Sequence, residues 1–98
     1  MRKITFTPDA YAEYLNWLET DRKIFLKITD LIREASRNLG KGIGKPELLK
    51  HELSGHWSRR INHEHRLVYS VTESAIVTSP ILYLPTQLNY YRRVPCDN

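Results

Sequence analysis

Between Lys45 and Val71 the chain reads KPELLKHELSGHWSRRINHEHRLVYSV, a run in which acid–base groups and cations are punctuated by bulky apolar residues. Glu47 stands among Lys45, Lys50 and His51. An ionised carboxylate in such company can take a proton as a general base. Arg66 interrupts the apolar segment HRLVYSV, where a planar guanidinium presented from a strand would grip a phosphate bidentately. The competing reading of Arg66 is a snorkelling or ion-paired structural arginine. Lys45 and Lys50 could position an RNA backbone, and Trp57 or Tyr69 could stack a base or fill the core. All four histidines (His51, His56, His63, His65) lie in this stretch, without zinc-ligand spacing or a cysteine partner, so no metal site is expected. Ser54 lacks the context of a hydrolase nucleophile, and KGIGKP (Lys41–Pro46) lacks the spacing of a phosphate-cradling loop.

The charge distribution points the same way. Residues 1–40 carry seven cations against six anions, residues 41–66 six against three, and residues 67–98 two against two. The net +4 is therefore concentrated in the middle, as a surface for an anionic partner would be, although a merely solvated basic face has the same composition. A 98-residue chain with 41% apolar and 27% charged residues is expected to fold as one modest domain. No apolar run reaches the roughly 20 residues that span a bilayer, and the charged N-terminus has no signal-peptide core. With the single Cys96, this favours a soluble cytoplasmic protein.

The elements that must hold these groups follow from periodicity. Arg2–Phe6 reads as a first strand. Thr7-Pro8-Asp9 starts a helix with a hydroxyl cap, a proline where no N–H is needed and an anion at the positive end. Tyr11, Tyr14, Leu15 and Leu18, with Trp17, form its apolar stripe and are assigned to the core. Thr20 or Asp21 caps a second helix with Ile24, Ile28, Leu31, Ile32, Ala35 and Leu39 on one face, ended by Gly40. Glu47–Leu53, His56–Ile61, His65–Val71 and Ala75–Leu84 read as strands, with turns at Ser54-Gly55, Asn62-His63-Glu64 and Thr72-Glu73-Ser74. Alternation puts Trp57, Arg59 and Ile61 on one face, and Ser58 and Arg60 on the other. The fold class is α+β: one strand, a helical hairpin, then an antiparallel meander with the helices packed on one sheet face.

LETDRKI in the hairpin, GKPELLKHELSGHWSRRI and EHRLVYSVT together resemble the YoeB/Txe branch of the RelE superfamily, bacterial toxins of type II toxin–antitoxin modules. The resemblance runs from the N-terminus to about Val77. It implies a RelE-like domain over residues 1–85 with a tail at 86–98, and a ribosome-dependent endoribonuclease that cuts mRNA by attack of a 2′-hydroxyl on the adjacent phosphate. Glu47 matches the family's general base and Arg66 its phosphate-binding arginine. Lys45, Lys50, Arg59 and Arg60 are assigned to RNA or ribosome contact. No metal or cofactor is implied. The implied partners are a YefM/Axe-like antitoxin, the ribosome with its mRNA, and a second toxin copy or a toxin–antitoxin hetero-oligomer.

The end of the chain departs from that pattern. Family members close their last strand with a His-Tyr pair whose histidine protonates the leaving 5′-oxygen, whereas this chain reads IVTSPILYLPTQLNYYRRVPCDN, with no histidine beyond His65. Tyr83 or Leu84 falls where the pair would stand. Three readings remain open: a tyrosine (Tyr83, Tyr90 or Tyr91) supplies the proton; His51 or His65 does; or the altered end marks an attenuated or silent toxin that still binds antitoxin. Pro80 adds a structural question, because it offers a central strand no N–H.

Overall fold

The computed structural model describes residues 1–82. Tyr83, Leu84, Tyr90, Tyr91 and the boundary drawn at residue 85 lie outside the described residues. The elements run β1 (Lys3–Phe6), α1 (Pro8–Thr20), α2 (Arg22–Arg37), β2 (Glu47–Leu48), a 3₁₀ turn (His51–Leu53), β3 (His56–Arg60), β4 (Arg66–Val71) and β5 (Ala75–Leu82). The sheet order is β1-β5-β4-β3-β2. The meander β2–β5 is antiparallel, as alternation predicts, while β1 pairs in parallel with β5. The sheet is therefore mixed: the helical hairpin carries the chain from β1 to the far edge at β2, and the meander brings it back beside β1 at β5.

Local chemistry sets the helix starts. Thr7 accepts from the Ala10 N–H at 3.2 Å and Asp21 from the Ile24 N–H at 3.3 Å, each side chain meeting a donor that the first turn leaves orphaned. On α2 the expected face is buried: Ile28, Leu31, Ile32 and Ala35 pack with Ile61, Leu67, Tyr69 and Ile76, with Ile24 and Leu39 at the margin. Helix α2 ends at Arg37, three residues before Gly40, with Asn38 as its C-cap.

On α1 the expected stripe is only partly right. Ala10 is buried and Tyr14 and Trp17 pack on the core, but Tyr11, Leu15 and Leu18 are exposed, Tyr11 to 51%. Tyr14 is held inward by its hydroxyl, 2.6 Å from that of Thr29 on α2, and by stacking on Phe25. Helix α1 is thereby turned so that Ala10, Tyr14 and Trp17, rather than Tyr11, Leu15 and Leu18, face inward.

The Glu47–Leu53 strand is also shorter than its sequence suggests. The regular ladder ends at Leu48; the Leu49 N–H still donates to the His56 carbonyl at 2.9 Å, while its side chain joins a second small apolar cluster with Val68, flanked by Leu53. His51, at φ 59°, then turns the chain into the 3₁₀ turn. Pro80 does lie in a central strand, and a bulge takes it. Ser79 opposes Val68 and Leu82 opposes Arg66, so Pro80 and Ile81 share the space opposite Leu67. The Ile81 N–H donates to a Glu13 carboxylate oxygen on α1 at 2.9 Å instead of to a strand.

Candidate active site

Sheet register brings the candidate residues together. Directly opposed residues on neighbouring strands share a face, so the pairs Glu47–Ser58, Ser58–Val68 and Arg60–Arg66 put Glu47, Arg60 and Arg66 on one side. The helices cover the other side, where Trp57, Tyr69 and Leu67 pack. Lys45, Pro46, Glu47, Arg60 and Arg66 line an open recess of about 260 Å³ on the helix-free face. Two arginines directly opposite one another repel, and an anion between them removes that cost. One carboxylate and three cations around such a recess can hold a phosphodiester and withdraw a proton from a neighbouring hydroxyl.

Each side chain is positioned from the backbone. Arg66 is only 8% exposed, and its Nη1 donates to the carbonyl oxygens of Asn62 at 2.6 Å and His65 at 3.1 Å. The turn that supplies those carbonyls is fixed by the Asn62 side chain, whose Oδ1 accepts from the N–H groups of Glu64 and His65 and from the His65 ring. His65 meets Trp17 edge-on, with ring centroids 5.3 Å apart. Lys45 has a positive φ of 48°, unusual for a side chain with a Cβ, and enters the recess from the loop that ends at Gly44. That loop is tied to β3 by the Arg60 N–H, which donates to the Gly44 carbonyl at 2.6 Å.

Arg59 corrects the sequence reading. The resemblance implies RNA or ribosome contact for it, yet it is 0% exposed on the helix-covered face. Its Nε donates to the Tyr69 hydroxyl at 2.9 Å, Nη1 to the Ile43 carbonyl at 2.9 Å, and Nη2 to the carbonyls of Asn38, Leu39 (3.3 Å) and Lys41 (2.9 Å). A buried cation is tolerable because these acceptors replace water. The alternation that groups Arg59 with Trp57 and Ile61 was the available signal, and charge obscured it. Trp57 and Tyr69 belong to the core side, with Tyr69 fully buried, so the base-stacking alternative fails for Tyr69.

The remaining candidates fall outside the recess. Lys50 lies past the end of β2 and does not line it, and neither His51 nor His65 does. Among the described residues no cluster of three or more histidine, cysteine or carboxylate side chains could hold a metal ion. Asn62 was missed as a site residue, since its role is to shape the turn behind Arg66. No helix among the described residues is long and apolar enough to cross a membrane.

Residues 6–83 match the family described as the YoeB-like toxin of bacterial type II toxin–antitoxin systems. Toxin YoeB of Escherichia coli K12 is 47% identical over 81 residues, covering 83% of this chain and 96% of that protein. The YoeB–YefM complex from Staphylococcus aureus superimposes with a TM-score of 0.77 at 44% identity, covering 85% of this chain and 97% of the other. The YoeB dimer from Staphylococcus aureus does so with a TM-score of 0.76 at 46% identity, covering 84% and 95%. By sequence and by fold, this chain belongs to the YoeB-like toxins of bacterial type II toxin–antitoxin systems.

Proposed function

We propose that the chain is a ribosome-dependent endoribonuclease that cuts mRNA in this recess. The observation that carries the reading is the convergence of Glu47 with Lys45, Arg60 and Arg66 on the helix-free sheet face. Glu47 takes the proton of a 2′-hydroxyl, and the oxygen attacks the adjacent phosphorus. The bond from phosphorus to the 5′-oxygen breaks, leaving a 2′,3′-cyclic phosphate and, after protonation, a 5′-hydroxyl. Arg66, held by the Asn62 and His65 carbonyls, meets the extra negative charge on the phosphorane. Lys45 and Arg60 position the RNA backbone, with Lys50 contacting it farther out. Tyr83 is assigned the proton for the leaving oxygen. An unperturbed phenol titrates near pH 10, so this is a weaker acid than an imidazolium and makes for slower cleavage.

YoeB of Staphylococcus aureus is solved with YefM and as a dimer. For this chain we propose a YefM/Axe-like antitoxin whose segment covers the basic recess, in a toxin dimer or a toxin–antitoxin hetero-oligomer, acting on ribosomes in the cytoplasm.

The absence of any histidine after His65 favours a second reading, a toxin that binds antitoxin and ribosome without cutting. Toeprinting of translating ribosomes with purified protein separates the two. Cleavage that falls about 10²–10⁴-fold in Glu47→Gln supports the enzyme, the range expected for loss of an acid–base group. No cleavage by the unaltered chain at saturating binding sinks it and leaves the silent toxin.

A further inference from the structure

The loop from Asn38 to Pro46 delivers Lys45 and Glu47 to the recess, yet no helix or sheet ladder organises its backbone. It crosses two positive-φ glycines, Gly42 and Gly44, and turns four carbonyls (Asn38, Leu39, Lys41, Ile43) onto one buried guanidinium, that of Arg59. Carbonyls turned away from water require donors, and one guanidinium reaches all four of these partly buried ones. The Tyr69 hydroxyl completes the arrangement: it accepts from Arg59 Nε at 2.9 Å and donates to the Leu39 carbonyl at 3.2 Å. The guanidinium carbon also lies 5.9 Å from the Tyr69 ring centre. The next residue, Arg60, points to the opposite face and binds Gly44 through its N–H. One dipeptide of β3 thus clamps the loop from beneath and lines the recess from above.

We propose that Arg59, braced by Tyr69, is the positioning residue of the recess, setting Lys45 and Glu47 against Arg60 and Arg66 without touching RNA. Its bearing on catalysis rests on the reading of the recess as an RNA-cleaving site; its bearing on the loop does not. A buried hydrophobe at position 59 would fill the same space but take the guanidinium donors from the Asn38, Lys41 and Ile43 carbonyls and leave that of Leu39 to the Tyr69 hydroxyl. The fork shape matters as much as the charge, since an ammonium group cannot reach carbonyls spread over residues 38–43.

The test uses the full chain with Tyr69→Phe, which removes one hydroxyl and preserves core volume, and Arg59→Lys as a second variant. Amide hydrogen exchange at residues 40–48 is expected to quicken about tenfold in Tyr69→Phe, the scale of one hydrogen bond, with β4 and β5 unchanged. Toeprinting cleavage is expected to fall by a similar factor while the salt dependence of RNA binding stays as it was. In a Glu47→Gln background the further loss from Tyr69→Phe is expected to shrink, because only Lys45 is left to misplace. Arg59→Lys should show the larger loosening of the two. Exchange that quickens uniformly over all strands, or a loosened loop with cleavage unchanged, overturns the positioning role. If the unaltered chain does not cleave at all, the nuclease reading fails while the exchange data still decide whether Arg59 orders the loop.

Discussion

Neighbouring arginines on β3 have opposite fates because a strand turns successive side chains to opposite faces. Arg60 lines the recess and Arg59 is sealed under the helices. Arg60→Ala should weaken RNA binding and reduce the slope of log affinity against log salt by about one, the loss of a single phosphate contact. Arg59→Ala should leave that slope alone and cost on the order of 3 kcal/mol, because several partly buried carbonyls lose the guanidinium donor at once. Urea titrations and filter binding across a salt series distinguish the two. Tyr69 offers a pH test of the same cluster. Burial raises its phenol above the usual value near 10, partly offset by the Arg59 hydrogen bond and charge. The folded state then holds the proton more tightly than the unfolded one. Its contribution is fully present below about pH 10 and is lost as pH rises through the raised value. Alkaline unfolding should flatten in Tyr69→Phe, measured by circular dichroism between pH 9 and 12, a window chosen around the ordinary phenol value of about 10.

Among the elements, β5 is the strand whose ladder with β4 is broken by a register shift. Its bulge at Pro80 and Ile81 frees one N–H, which the Glu13 carboxylate of α1 accepts. Glu13→Ala should cost about 1–3 kcal/mol, the penalty of a buried donor left unmet, whereas Glu13→Gln keeps an acceptor and should cost less. Thermal melts of the two variants decide the point. Gly44 constrains the loop in another way. Its φ is 86°, and an added Cβ would lie 2.7 Å from Leu31 Cδ2 and 3.0 Å from Arg59 Cβ. That position therefore admits the chain only as glycine, and it lies one residue before Lys45.

For the molecule as a whole, the sheet divides labour between its faces. One carries the main core against α2 and α1, and the other carries the small Leu49–Val68 cluster beside the basic recess. The excess of cations over anions in residues 41–66 is thus spread over both sides: Lys45, Arg60 and Arg66 on the recess, Arg59 inside the fold. The family match ends at residue 83. We accordingly propose residues 1–85 as the folding unit. A chain ending at Pro85 should melt within a few degrees of the full chain, a shift of about 1 kcal/mol or less for a domain of this size. A larger drop would place residues 86–98 within the folding unit.

What local chemistry controls was legible in the residues alone: the capped starts of α1 and α2, the apolar face of α2, the alternation of β3 and β4, and the resemblance that marks Glu47 and Arg66. These are readable because caps, periodicity and turn residues act over a few neighbouring positions. Folding in three dimensions settled which stripe of α1 is buried, that β1 runs parallel to β5, that the segment after Leu49 turns away from the sheet, and that Arg59 faces inward. Each of these depends on a partner distant in the chain. The Tyr14 hydroxyl finds Thr29, Leu49 finds Val68, and Arg59 finds carbonyls about twenty residues earlier. A positive charge on the core side of a strand looks, in sequence, like a surface cation. Its meaning is set by acceptors that converge on it only after folding.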